Sequence, residues 1–296
     1  MKKMRIPLII ALSVAVVGII FGSFFDLAIS TAIGNPKNYF ALTVSAIGPT
    51  IGFAGVAVMG GGFVALAIHG RYHIAIKVLF YVLAACCFGV SIFYPGGEYF
   101  GVNGFYHAAP KWVGYLIVLL PEALAMFGGY VLFKDCENEK MWIIFCVIIG
   151  LLLFVLLLTI PTIKDNMRRP RYRLVSVSEV AFKNWWQPTK NYKELIEQVG
   201  TESDNFKSFP SGHTAEASIL LVCFTFFPLA DRKFEKLQLP LFLGACGLVL
   251  LVALARIMSA AHYLSDVSWG ATVVLIPLII ANEVIMRIKK LHVEAE

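Results

Sequence analysis

Ile6-Pro-Leu-Ile-Ile-Ala-Leu-Ser-Val-Ala-Val-Val-Gly-Ile-Ile-Phe-Gly-Ser-Phe-Phe25 is a run of 20 residues without a charge, the length that carries an α-helix across the hydrocarbon of a bilayer. Met1-Lys-Lys-Met-Arg5 stands before it, and a basic start ahead of an apolar run is also how a cleaved signal peptide opens. The run outlasts the apolar core of about 7–15 residues that such a peptide has, and further spans follow, so it reads as an uncleaved first span. Working outward, apolar stretches recur at about 48–69, 74–94, 112–133, 141–161, 212–230, 239–257 and 264–286, which with the first at about 6–30 makes eight. All are read as helices, since only a helix or a closed barrel pairs its own backbone groups in lipid.

Composition agrees. Of 296 residues 58% are hydrophobic and 15% charged, against roughly 25% charged in an ordinary soluble domain. With a mean hydropathy of +0.76, the apolar excess cannot be hidden in one water-soluble core. A cytosolic enzyme, a disordered linker and a secreted disulfide scaffold are excluded on these grounds. The expected fold is an all-α, polytopic transmembrane bundle of about eight spans, one integral membrane domain over 1–296, with N-terminal spans over 1–161 and a second part over 162–288. The six cysteines, Cys86, Cys87, Cys136, Cys146, Cys223 and Cys246, show no metal-ligand spacing, and all but Cys136 lie in apolar segments, where cysteine behaves as a small hydrophobe. No disulfide framework and no metal site is expected.

The net charge is +6, but its placement fits membrane topology rather than nucleic acid, which is not expected as a partner. Lys2, Lys3, Arg5, Arg71, Lys134, Lys140, Arg232, Lys233, Lys236, Arg287, Lys289 and Lys290 fall on one face of an eight-span arrangement, and the short opposite loops carry Lys37 and Lys111. Basic loops stay inside, so both termini are expected in the cytoplasm of a multi-pass cell-membrane protein. The connection 162–210 breaks the pattern, for it lies outside yet holds Lys164, Arg168, Arg169, Arg171, Arg173, Lys183, Lys190, Lys193 and Lys207.

Three pieces of sequence on that outer face give the exception a reason: Lys164-Asp-Asn-Met-Arg-Arg-Pro-Arg171, Phe209-Pro-Ser-Gly-His-Thr214, and Arg256-x5-His262-x3-Asp266. Lys and Arg offer charge and forked donors to an anion with several oxygens, as a phosphate is. Ser211-Gly212-His213 enters an apolar helix, where unpaired backbone N–H groups favour an anion and glycine allows close approach; a serine there also serves simply as a helix N-cap. His262 and Asp266 are four apart and share a helix face, so a carboxylate on one ring nitrogen leaves the other nucleophilic. Such a pair is also met as an incidental local hydrogen bond. Two histidines, one carboxylate-oriented, in a cationic cradle fit nucleophile and general acid in phosphoryl transfer, with charge neutralisation by the cations and no metal or other cofactor required.

Taken together and in order, these pieces resemble the signature of the type 2 phosphatidic acid phosphatase (PAP2) superfamily, K-x6-RP, PSGH and SR-x5-H-x3-D. The resemblance implies a catalytic core over 162–288 in which His262 attacks phosphorus to form a phosphohistidine, Asp266 orients it and His213 protonates the leaving oxygen. Lys164, Arg171, Ser211, Gly212 and Arg256 are then the phosphate ligands. Two departures stand out. The x6 spacing from Lys164 lands on Arg171, whereas the Arg-Pro pair is Arg169-Pro170, so Arg169 is the second choice for that ligand. Ala255 replaces the serine expected before Arg256. The family core has three spans before its first motif, and five are counted here.

The implied activity is metal-independent hydrolysis of a lipid phosphate or isoprenyl diphosphate, with the undecaprenyl carrier first among candidates and phosphatidate or phosphatidylglycerophosphate next. A phosphotransferase using the same site and a non-enzymatic transporter of anionic lipid are the alternatives. Elsewhere, Asp26 and Glu283 lie near span ends, where solvation accounts for them. Glu122, well inside its span after Pro121, reads as a structural polar contact or a substrate or ion contact. His69, His73 and His292 read as solvated surface. Trp185, Trp186 and Tyr192 read as an interfacial anchor or an ordinary loop core, and Gly60-Gly61-Gly62 as a site of close helix packing.

Overall fold

The computed structural model describes residues 4–98, 111–135, 139–230 and 232–294; Lys2, Lys3 and Cys136 lie outside them. The regular structure of the described chain is all helical, in the order α1 (Arg5–Ile33), α2 (Tyr39–His69), α3 (Ile74–Glu98), α4 (Lys111–Phe133), α5 (Glu139–Met167), α6 (Tyr172–Val175), α7 (Tyr192–Val199), α8 (Gly212–Ala217), α9 (Ile219–Ala230), α10 (Gln238–Met258) and α11 (Leu264–Glu294). Seven of these helices, α1 to α5, α10 and α11, are long and apolar enough to cross a membrane. The stretch 212–230, expected as one span, is instead the two shorter helices α8 and α9. The break falls at Ser218, whose N–H and hydroxyl both donate to Thr214 O, at 3.1 and 2.7 Å, a side-chain bond that bends helices. Pro161 does not end the fifth span; α5 runs on to Met167, which places Lys164 on its last turn.

The described residues fall into two compact units. One comprises 46–151 and 219–246. Its centre is aromatic: Phe133 stacks on the fully buried Trp142 with ring centroids 3.7 Å apart, and Phe145, Phe227 and Phe234 complete the group. The triple glycine of α2 is where backbones close up, as expected. A Cβ on Gly61 would collide with the α4 backbone at Met126–Tyr130, and one on Gly62 with the Trp142 indole. Glu122 also belongs to this unit and is 0% exposed.

Among the described residues the other unit comprises 4–45, 152–218 and 247–294, so α1 groups with the C-terminal half of the sequence. Its faces meet through small residues: Gly18 of α1 sits against Ser268 of α11, Gly22 against Ser265, and Gly270 of α11 against Ser211 O. Small side chains are what let transmembrane backbones approach. The end of α1 is fastened by Asn35 N–H to Met258 O at 2.7 Å. Between α5 and α8 the chain forms a small core of Leu174, Val180 and Phe206, overlaid by Tyr192, Leu195, Ile196 and Val199. Trp185 is held in place by stacking on Phe209 and by donating to Ser23 Oγ at 2.9 Å, while Trp186 remains 48% exposed.

Candidate active site

All three sequence pieces fall within the second unit. The first begins on α5. The helix closes with Arg168 N–H bonding Lys164 O at 3.0 Å and Arg168 itself at φ 47°, a left-handed conformation that a non-glycine residue adopts at a cost. Pro170 cannot extend the helix, and the two arginines beside it leave in different directions. Arg171 caps the start of α6; its Nε donates to Asp204 O at 2.9 Å, Nη2 to Asp204 Oδ1 at 3.2 Å and Nη1 to Ala261 O at 3.2 Å. The same Nη1 stands 3.4 Å from His262 Nε2.

Arg169 does not join it. This side chain is 0% exposed and spends four of its five N–H groups inside the protein: Nε on Lys183 O at 2.8 Å, Nη1 on Ser265 Oγ at 2.9 Å and Asp266 Oδ1 at 2.5 Å, and Nη2 on Asp26 Oδ2 at 2.8 Å. The ring of Tyr263 lies beneath the guanidinium, 4.2 Å from centroid to Cζ. Arg169, the second choice for phosphate, thus has its donors engaged by two carboxylates, the Ser265 hydroxyl and Lys183 O. Asp26, expected to be solvated, is 1% exposed and forms one end of this cluster. Its burial follows from its partners: Oδ1 accepts Ser265 N–H at 2.9 Å, and Oδ2 accepts both Arg169 and the Ser265 hydroxyl. Glu283 is half-buried and paired with Arg5 at 3.2 Å.

The second piece enters α8 from the cis Phe209–Pro210 peptide. Ser211 is its N-cap, accepting from Thr214 N–H at 3.4 Å and from the Thr214 hydroxyl at 3.0 Å, and its own N–H donates to Asp266 O at 2.9 Å. The simple capping reading of this serine is thus met. Gly212 lies close to Lys164. A Cβ there would lie 3.6 Å from Lys164 Nζ and 3.3 Å from Glu216 Oε1, so any side chain would intrude between the ammonium and the helix start. His213 follows on the first turn, in the field of Arg256, His262, Lys164 and Arg171.

The third piece leaves α10 at Arg256, whose carbonyl accepts the N–H of Ala261 at 3.2 Å and of His262 at 3.1 Å. Ala260, at φ 56°, turns the chain so that His262 points back into the unit. His262 Nδ1 lies 2.5 Å from Ser208 O. A carbonyl only accepts, so Nδ1 carries the proton and Nε2 the lone pair. Asp266 Oδ2 is 3.7 Å from Nδ1, within range of charge attraction but past a hydrogen bond. Its direct donors are the Ser208 hydroxyl at 2.5 Å and Tyr263 N–H at 2.9 Å. The carboxylate therefore reaches His262 through Ser208 as well as through charge. Burial, then Arg256, Arg171 and Lys164, hold the His262 imidazole well below its ordinary proton affinity, so it is neutral near pH 7.

Lys164, Arg171, Gly212, His213, Arg256, His262 and Asp266 are thus drawn into one neighbourhood, and Arg169 is turned away into the layer beneath. Ser208 escaped the sequence reading because its part is played by a backbone carbonyl, which no residue type announces. Asp204 escaped it for want of any motif around it. An intramembrane carboxylate such as Asp26 was itself a signal, for such a group is retained only with a partner.

The PAP2 superfamily model matches residues 139–281. No curated protein and no solved structure gives a match. The matched stretch holds each of the motif residues named above, and residues 139–281 are similar to the PAP2 superfamily, as the motifs led us to expect.

Proposed function

We propose that this PAP2-type membrane phosphatase removes the terminal phosphate from a lipid phosphate or isoprenyl diphosphate through a phosphohistidine, with its cations rather than a metal neutralising the phosphoryl charge. The observation that carries the reading is the His262 tautomer: Nδ1 is committed to Ser208 O at 2.5 Å, and Nε2 faces the Arg171 guanidinium at 3.4 Å. A phosphoryl group seated against both has its phosphorus at the nucleophile and an oxygen on the fork. The Nε2 lone pair forms the N–P bond as the P–O bond to the lipid breaks, and His213 gives the leaving oxygen its proton. Water then attacks phosphorus, His213 takes the water's proton, and the N–P bond breaks to release phosphate and neutral His262. Lys164, Arg171 and Arg256 stabilise the charge that grows on the phosphoryl oxygens. The positive-inside pattern supports cytoplasmic termini and an outer-face site, next to the headgroups from which a lipid substrate comes.

The test is phosphate release by the detergent-purified protein, with EDTA present, across isoprenyl diphosphates, phosphatidate, lysophosphatidate and phosphatidylglycerophosphate. Release that survives the chelator and disappears in His262→Ala is the expected result. No release from any lipid, or equal release from the variant, overturns the proposal.

A further inference from the structure

Beneath His262 the protein has built more than an orienting carboxylate. Arg169 lies between Asp26 of α1 and Asp266 of α11, giving one Nη to each, and all three side chains are sealed from solvent. Ser265 ties the two ends together, since its N–H and hydroxyl serve Asp26 while its hydroxyl also receives from Arg169. Removing charges from water is expensive, and a packing contact between α1 and α11 needs none of them. Their arrangement therefore asks for a role in the chemistry.

Charge supplies it. A lone Arg169 paired one to one with Asp266 would neutralise the carboxylate that His262 depends on. With Asp26 present, one cation is shared by two anions, and one net negative charge remains under the imidazole. That charge matters at the step where His262 becomes cationic by bonding to phosphorus. We propose that Asp26 is a positioning residue for the reaction: by sharing Arg169 with Asp266 it fixes that carboxylate and preserves its net charge beneath His262. This rests on the phosphohistidine reading given above. The other charged groups facing His262 are Lys164 from α5, Arg171 at the start of α6, His213 from α8 and Arg256 from α10. They are unchanged by substitutions in the cluster.

The experiment compares wild type with Asp26→Asn, Asp26→Glu and the charge-balanced Asp26→Asn/Arg169→Gln in the full-length, detergent-purified chain. Two readouts are taken across pH: phosphate release, resolved into kcat and KM, and carbethoxylation of His262 by diethyl pyrocarbonate, located by mass spectrometry. The second reports the neutral imidazole and needs no turnover. Loss of a nearby anion makes protonation of His262 harder, so in Asp26→Asn both pH midpoints move down. Its kcat falls several-fold or more at unchanged KM. Asp26→Glu keeps the wild-type midpoint, and the double variant returns to it because the net negative charge is restored. An unmoved midpoint in Asp26→Asn, an equal movement in Asp26→Glu, or a double variant further displaced than the single one overturns the proposal in favour of a mere tie between helices. Should Asp26→Asn aggregate, Arg169→Gln is compared with the double variant: its midpoint lies above that of the double variant because Asp26 adds one more anion, and equal midpoints overturn the proposal. A wild type that labels normally but releases no phosphate refutes the phosphatase reading instead.

Discussion

Replacing Arg171 by alanine puts the division of labour between the two neighbouring arginines to its strictest test. The guanidinium is almost fully buried and stands 3.4 Å from His262 Nε2, so a phosphoryl oxygen in that space bears directly on it. Two unit charges about 4 Å apart are worth roughly 4 kcal/mol at an effective dielectric near 20, and a phosphoryl oxygen carries only part of a charge. Losing one donor to a developing oxyanion costs about 10²–10³ in kcat, and that is the expected loss for Arg171→Ala. Arg171→Lys keeps the charge but not the fork that reaches Asp204 and Ala261 together, so it falls between. The same change has a signature in pH. Arg171 is among the cations that depress the proton affinity of His262; without it the imidazole stays protonated to higher pH, and the acid limb of kcat/KM moves up toward the ordinary histidine value. The assay is phosphate release across pH, with protein integrity followed by size-exclusion chromatography. An Arg171→Ala protein with near wild-type rate and an unmoved acid limb refutes the reasoning.

In the wild type, attack requires neutral His262 and its proton affinity is depressed, so the acid limb of kcat/KM should lie below about 6.5, the unperturbed histidine value; a limb at or above that value contradicts the assigned environment. Ser208→Ala keeps the carbonyl under Nδ1 but removes the hydroxyl that meets Asp266 at 2.5 Å. A hydrogen bond to a charged group contributes about 1.5–3 kcal/mol, and both thermal stability and kcat are expected to drop, with no change in either counting against the link. Gly61→Ala puts a methyl 2.5 Å from Tyr130 N and 2.9 Å from Gly129 C, backbone atoms that cannot step aside. Overpacking of this kind costs about 1–3 kcal/mol, so the melting temperature in detergent should fall, and an unchanged one means the two helices are less closely seated.

Much of this was legible in the chain. Runs such as Ile6–Phe25 have one physical solution in lipid, and the spacing of Arg256, His262 and Asp266 drew the eye to the residues that meet. The motif spacing also favoured Arg171 over Arg169, and it is Arg171 that reaches Nε2. What stayed hidden depended on partners distant in sequence or on groups without a side-chain signature. Ser218 looks like any residue of an apolar run until its hydroxyl bends the helix. Asp26 looks like a span-end carboxylate until α1 is laid against α11, and Pro161 looks like a stop that α5 passes through.

The Asp26–Arg169–Asp266 cluster also orders the birth of the protein in time. Asp26 is synthesised 143 residues before Arg169 and 239 before Ser265, so α1 leaves the ribosome carrying an acid whose counter-ion does not yet exist. An unpaired carboxylate is among the least welcome groups in a bilayer. Until residue 169 emerges, α1 is held by apolar length alone, and until α11 arrives the serine and the second carboxylate are missing. A chain that stops short of Leu264 is left with Asp26 and Arg169 but neither Ser265 nor Asp266. The cluster is thus complete only once α1, the chain around residue 169 and the start of α11 have all been made and have found each other.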